Sequence, residues 1–228
     1  MKFKLIITCL LISVFSFSQK TEKNDNSKED IQEIKQYHDG GFFNLGVRST
    51  MSLFSGDGNM GMGTGGQFRV GLTPWLNTEW FLDYINSSLY GYGKRTDAHV
   101  GWSVMFYPIK FERASFIQPY IIAGHCFDYS KLRSNNYTYL NFDDQSTERW
   151  SSAIQGGLGV HFHAGERVDF SVNTQYMWHF GDGIGVEFDE DAPVGENPLH
   201  IHEGGDSDIL EGHLLITFSM NIKIADLW

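Results

Sequence analysis

The 228-residue chain holds only two cysteines, and beyond residue 18 nothing approaches the roughly 18 consecutive apolar residues of a membrane-crossing helix. The first lack excludes a disulfide framework. Cys9 lies in an N-terminal apolar run, and removal of that run leaves Cys126 without an intramolecular partner. The second lack excludes a helical membrane protein. Positive charge is scarce too: 17 Lys+Arg stand against 28 Asp+Glu, a formal charge of −11, which argues against a nucleic-acid partner. Neither a twelve-residue calcium-loop pattern nor a phosphate-cradling glycine loop is present. The glycine pairs Gly65-Gly66 and Gly156-Gly157 do not open helices and suit close interior packing of strands.

What the chain has in quantity is alternation. From Leu214 to Ile224 the residues Leu214, Ile216, Phe218, Met220, Ile222 and Ile224 form one face, against Leu215, Thr217, Ser219, Asn221 and Lys223. A period of two held this long belongs to a strand with one apolar face. Seven earlier runs behave similarly. The first sets Phe43, Leu45, Val47, Met51 and Leu53 against Asn44, Gly46, Arg48, Thr50 and Ser52. Others set Phe68, Val70 and Leu72 against Gln67, Arg69 and Gly71; Leu76, Trp80, Leu82 and Tyr84 against Asn77, Glu79, Phe81 and Asp83; and Val100, Trp102, Val104 and Phe106 against His99, Gly101, Ser103 and Tyr107. A sixth run puts Ile154, Leu158, Val160 and Phe162 opposite Gln155, Gly157, Gly159, His161 and His163. The seventh puts Val168, Phe170, Val172, Tyr176, Trp178 and Phe180 opposite Asp169, Ser171, Asn173, Gln175 and His179. The fifth, Phe116 to Tyr129, carries apolar residues on both faces and stays ambiguous.

Eight runs, each long enough to cross a bilayer when tilted, predict an all-β chain: an eight-stranded antiparallel up-and-down transmembrane barrel. The connections read as Phe54–Gly66, Pro74–Trp75, Ile85–Asp97, Pro108–Ser115, Ser130–Trp150, Ala164–Arg167 and Gly181–Gly212. Long and short ones alternate, which predicts long extracellular loops and short periplasmic turns. Arg48, Arg69, Glu79, Asp83, Asp169 and Lys223 all fall on polar faces and form a candidate lumen network, in which unpaired charges would be costly. Aromatics near run ends, among them Phe43, Trp75, Tyr107, Tyr129, Trp150, Phe180 and Trp228, suit interfacial girdles. The last run is expected to close the barrel on Phe43–Leu53.

The N-terminus supplies the compartment. Lys2 and Lys4 precede an apolar run from Leu5 to Phe17, and cleavage between Ser18 and Gln19 fits a secretory signal peptide at 1–18. Its loss takes Lys+Arg to 15 and the formal charge to −13. Residues 19–39 read as a polar periplasmic linker, in which Ser27 could cap a short helix bearing Ile31 and Ile34, and 40–228 as the barrel.

The chain resembles the small eight-stranded outer-membrane barrels, the OmpA-like transmembrane β-barrel domain family, in its Bacteroidota form. The resemblance rests on the signal ending S-F-S-Q, the Tyr107-Pro108 turn followed by Q-P-Y-I-I-A-G at Gln118–Gly124, and the aromatic C-terminus at Trp228. It covers Gly40 to Trp228. It implies location in the cell outer membrane and insertion by machinery that reads a C-terminal alternating strand. Asp226 interrupts that strand's apolar face.

Candidate chemistry lies in four places. Residues 181–212 hold Asp182, Glu187, Asp189, Glu190, Asp191, Glu196, Glu203, Asp206, Asp208 and Glu211 with no Lys or Arg, read first as a solvated acidic loop and second as a divalent-cation site. His200 and His202 with Glu203 are a weak metal-ligand set. His161 and His163 share a lumen face, where hydrogen-bonded interior residues are the first reading. His179 and Asp182 form a candidate pair for an outer-membrane lipid-modifying or hydrolytic enzyme, although no nucleophile motif accompanies them. An eight-stranded lumen is filled by side chains, so the expectation is no enzyme and no resident cofactor. The expected role is a structural or interaction barrel, plausibly an accessory subunit of a larger outer-membrane complex. Its expected partners are outer-membrane lipid, lipopolysaccharide and other outer-membrane proteins; a small-solute channel is the other alternative.

Overall fold

In the computed structural model the described residues are 40–54, 60–109, 116–134, 146–165, 167–180, 184–189, 191–193, 198–203 and 212–228. Residues 1–39, with the signal cleavage at Ser18 and Gln19 and the linker, lie outside them. The described part is all strand and turn: β1 (Phe42–Phe54), β2 (Met60–Thr73), β3 (Leu76–Leu89), β4 (Gly93–Phe106), β5 (Ile117–Ser134), β6 (Ser146–His163), β7 (Val168–Phe180), β8 (Ile184–Phe188), β9 (Leu199–Glu203) and β10 (Gly212–Asp226). Eight of these form a closed antiparallel barrel in the order β1-β10-β7-β6-β5-β4-β3-β2, and β8 and β9 pair as a separate hairpin. Closure runs from Phe42 opposite Asp226 to Phe54 opposite His213, with one irregularity between Phe43 and Asn44. No barrel strand is left with an open edge, the condition for strands to cross hydrocarbon.

Alternation sorts side chains as expected. Leu45, Val47, Leu82, Val100, Ile121, Phe127, Leu158 and Phe218 are exposed on the outside, while Arg48, Arg69, Glu79, Asp83, His99, Asp128 and Asp169 are buried inside. A soluble protein would invert this arrangement. The ambiguous fifth run becomes β5, with Gln118, Tyr120, Ile122, Cys126, Asp128, Ser130 and Leu132 inward. Both its faces look apolar because part of the lumen is itself apolar.

We call the end carrying Phe42 and Asp226 the base and the other the crown. At the crown the strands outrun their apolar faces. The expected connection Ile85–Asp97 contracts to a turn at Tyr90–Tyr92, because β3 and β4 continue with Asn86, Ser88, Lys94 and Thr96 on the outside. Likewise β2 begins at Met60 rather than beyond Gly66, and β5 and β6 reach to Ser134 and Ser146. The wall therefore stands proud of the lipid belt. Tyr90 (φ 53°) and Gly91 (φ 84°) turn the chain in left-handed geometry, closed by the Tyr92 N–H donating to Leu89 O at 2.9 Å. Asp226, the break in the closing strand, sits at the base and pairs with Lys223, so it never faces the belt.

A charge placed on the belt tests this assignment. Val100→Arg should cost about 2–4 kcal/mol in urea unfolding from lipid vesicles, and Thr96→Arg near the crown about 0–1 kcal/mol. Equal costs at both positions would contradict a lipid-facing belt.

Candidate functional site

The lumen is packed in layers, and each layer recruits side chains from distant strands through register. At the base, Tyr107 Oη lies 3.0 Å from His161 Nε2, and Asn77 Nδ2 donates to Tyr107 Oη at 2.6 Å. His161 stacks on Tyr120 with ring centroids 4.3 Å apart, and His163 Nε2 lies 3.1 Å from Gln118 Oε1. These two histidines are interior hydrogen-bonding groups.

Above them lies the charged layer. The Arg69 guanidinium bridges Glu79 (3.1 Å) and Asp169 (3.2 Å), and Arg48 bridges Glu79 (3.4 Å) and Asp83 (3.0 Å). Asn44 and Asn221 donate to Asp169 at 3.2 and 2.9 Å, and Gln67 donates to Asn221 at 2.6 Å. Arg48 also lies over the Phe81 ring at 4.4 Å and donates to Thr217 at 3.4 Å. Gly65 makes room for this layer: a β-carbon there would fall 2.4 Å from Asp83 Oδ1. Five of the six residues expected in the network, Arg48, Arg69, Glu79, Asp83 and Asp169, meet here. Lys223 does not; it lies at the base, paired with Asp226.

An apolar cluster of Phe81, Ile85, Cys126, Ala153, Met177 and Leu215 packs at the next level, beside Asp83 and its register partner His99. Toward the crown comes a chain of titratable groups. His99 Nε2 lies 3.1 Å from Asp128 Oδ1, His179 Nδ1 lies 3.3 Å from Asp128 Oδ2, and His179 Nε2 lies 3.1 Å from His213 Nδ1. Ser151 Oγ lies 3.1 Å from His179 Nδ1 and donates to Asp128 Oδ2 at 3.4 Å. Ser130 donates to Asp97 at 2.6 Å, and Arg95 pairs with Asp97 at 3.1 Å. Parity alone puts each of these residues inside; that they meet depends on registers spanning five strands.

This chain of groups resembles a Ser-His-Asp triad in composition only. A nucleophile and its orienting carboxylate must use opposite imidazole nitrogens. Here Ser151 and Asp128 share Nδ1, and Nε2 is committed to His213. The expected partner Asp182 lies outside the described residues.

The crown is covered by the β8–β9 hairpin, which corrects the reading of 181–212 as loop throughout. Ile184 and Leu199 are buried against Leu89 and Leu132, with Val186, Phe188 and Ile201 packed beside them. Phe188 stacks on Tyr90 at 4.8 Å and leans on Tyr92 at 5.7 Å. The alternation I-G-V-E-F is the signal for β8, too short to stand out within an acidic stretch. Glu187, Asp189, Asp191 and His200 are exposed; the side chains of His202 and Glu203 and the remaining loop carboxylates lie outside the described residues. No group of three His, Cys, Asp or Glu among the described residues is placed to hold a metal ion.

The outer wall has its own relief. Each glycine pair straddles the wall rather than lying wholly inside. Gly65 and Gly157 are tightly packed, whereas a β-carbon at Gly66 or Gly156 would meet nothing closer than 3.9 Å. Over Gly66 lies an apolar recess of about 610 Å³ on the lipid side, bounded by Leu45, Val47, Phe68, Trp80, Leu82 and Val100. At the base a recess between Arg69, Tyr107, Gln118 and His161 measures about 10 Å³, room for about one water.

No protein-family model matches the sequence, and no curated protein matches it in sequence. Solved structures do match in fold. A major outer membrane protein from Thermus thermophilus superposes with a TM-score of 0.54 at 11% identity, covering 80% of this chain and 99% of that one. Neisserial surface protein A (TM-score 0.49, 13% identity, 80% and 97% covered) and the attachment invasion locus protein of Yersinia pestis (0.45, 12%, 82% and 99%) are similar at lower scores. At these identities the likeness is one of fold.

Two substitutions test the interior assignment. Arg69→Met takes the arginine partner from buried Asp169 and leaves Glu79 with Arg48 alone, and should cost about 3–5 kcal/mol of unfolding free energy. Lys223→Met removes a partly exposed pair and should cost no more than about 1 kcal/mol. For the cap, Leu199→Asp should release the hairpin, seen as new protease cleavage within 181–211 with the barrel core still resistant; unchanged cleavage would contradict the packing. Closed order, apolar outside and charge-paired inside together make the chain an eight-stranded barrel integral to the outer membrane.

Proposed function

We propose that the protein is a non-conducting structural and interaction barrel, serving as an accessory subunit of a larger outer-membrane complex. The observation that carries this reading is the stacked filling of the lumen: a hydrogen-bonded base, a charge-paired layer, an apolar layer, a histidine–aspartate chain and a hairpin cap succeed one another. Such an interior is filled by side chains from base to crown, and many of its buried polar groups are engaged with one another. The function then falls to the outer surfaces. The reading assigns no catalytic residue, because Ser151, Asp128 and His179 are arranged as a structural chain beneath the cap, and it assigns no cofactor.

In this reading the base faces the periplasm and the crown the exterior, as in OmpA-like barrels of the Bacteroidota. Lys94 and Arg133, neighbours across β4 and β5, and Lys131, paired with Glu148, then stand just above the belt, beside the Tyr129–Trp150 aromatic pair. That is the level of lipopolysaccharide phosphates, which supports lipid as a standing contact.

The test is twofold. In planar bilayers the purified protein should show background conductance, and so should a variant lacking residues 184–203, since the deeper layers remain. Stepwise single-channel currents would overturn the closed lumen in favour of a solute channel. In mild detergent the full-length protein should leave outer membranes with at least one other protein in fixed ratio; migration alone would overturn the accessory role.

A further inference from the structure

Above the girdle the outer wall carries its charge in one place. The chain as a whole is acidic, at −11. Yet the described charges at outward crown positions of the barrel strands are three cations, Lys94, Lys131 and Arg133, with one carboxylate, Glu148. Lys94 and Arg133 are register partners across β4 and β5, and Lys131 stands on the same face of β5, one outward position nearer the base. Lys131 pairs with Glu148, so among the described residues the cluster keeps an excess of positive charge. Like charges set directly opposite each other on a sheet destabilise it, and an anion seated between Lys94 and Arg133 relieves that repulsion. Hydroxyls flank the cluster: Ser88 is opposite Lys94, Ser146 is opposite Arg133 and Thr96 is opposite Lys131.

Below this cluster the wall is hollowed. Val100 lies on the same face of β4 as Lys94, nearer the base, and forms one bank of the recess of about 610 Å³ over Gly66. Register carries the recess from Val100 to Leu82 of β3 and on to Gly66 of β2. The stretch from Lys94 to Val100, at about 3.3 Å per residue on a strand tilted about 40°, descends about 15 Å, the depth of one leaflet's hydrocarbon. The volume falls within the range of about 300–1,000 Å³ common to small-molecule sites. The recess opens to the interior of the bilayer, where acyl chains are the surrounding material.

We infer that the Lys94–Lys131–Arg133 cluster and the Gly66 recess are the two ends of one lipid site, which holds a phosphorylated glycolipid of the outer leaflet, the lipid A portion of lipopolysaccharide. Its phosphate lies between Lys94 and Arg133, its sugar hydroxyls meet Ser88, Thr96 and Ser146, and one acyl chain runs down β4 past Val100 into the recess. The Tyr129–Trp150 pair stands directly below the cations, where headgroup gives way to hydrocarbon. The inference rests on the outward-facing crown of the proposed function and names the lipid which that crown holds. A glycerophospholipid shares the phosphate and the chain but lacks the sugar hydroxyls that the flanking residues would meet.

Native mass spectrometry of the full-length protein, extracted from outer membranes in mild detergent, tests this. The expected result is one lipid A-bearing molecule retained per barrel. Lys94→Gln together with Arg133→Gln should lower the retained fraction about tenfold or more. Gly66→Leu, at a site where a β-carbon meets nothing closer than 3.9 Å, fills the recess and should lower retention about threefold to tenfold. Lys223→Gln at the base should leave retention unchanged, and trypsin resistance of the barrel should be the same in every variant. A further arm uses the unaltered protein in phosphatidylethanolamine vesicles with added lipid A, and so depends on no variant folding. There the dephosphorylated form should be retained about tenfold less than the phosphorylated one, and inorganic phosphate should not displace the latter. Retention indifferent to either substitution or to the lipid's phosphate, or displacement by inorganic phosphate, would overturn the site. A phospholipid retained in place of lipid A would overturn the glycolipid and the outward crown together. If no lipid is retained while co-purification with another protein persists, the lipid site falls and the accessory reading stands. If both are absent, both fall.

Discussion

A strand in hydrocarbon must find every hydrogen-bond partner within the protein, and here that requirement comes to rest on the pairing of β1 with β10. Once that seam closes, the outside has to be apolar and the inside has no bulk water to draw on. The interior must then cancel its own charge. Among the described residues four buried arginines and five buried carboxylates do so largely by mutual pairing, with His99 set against Asp128. Arg69 holds the arrangement at its centre, joining Glu79 of β3 to Asp169 of β7 across the lumen.

The layering follows from the same constraint. Phe81, Ile85, Cys126, Ala153, Met177 and Leu215 fill the space between charged groups at two levels, which adjoin on one wall of the lumen where Asp83 and His99 are register partners. At the crown the titratable chain would be open to water but for the hairpin, whose Ile184 and Leu199 complete an apolar lid over Leu89 and Leu132. The aromatic clasp of Phe188 by Tyr90 and Tyr92 uses a tight turn of the barrel as its anchor, so the β3–β4 turn and the β8–β9 hairpin pack together.

Strand identity, inward parity and the closing pair were legible in the sequence because lipid enforces a period of two on every belt-facing residue. Legibility failed where that pressure stops. Above the belt, Asn86, Ser88, Lys94 and Thr96 are polar on the outside too, so real strand looked like loop. In β5 the apolar lumen layer blurred the faces through Ile122, Cys126 and Leu132. Lys223 has lumen parity but lies at the wrong depth, and depth is set by register, which sequence alone does not show. For the same reason the meeting of His99, Asp128, His179 and His213 was invisible, although each separately had inward parity.

The most direct measurement of the filled lumen uses the native thiol. Cys126 is the one described cysteine, fully buried halfway along the barrel interior. In protein folded into lipid vesicles, small water-soluble thiol reagents added on both sides should leave Cys126 unmodified by mass spectrometry, with full modification appearing only on unfolding. Modification of the folded protein at the rate of an exposed thiol would show a hydrated lumen and contradict the account.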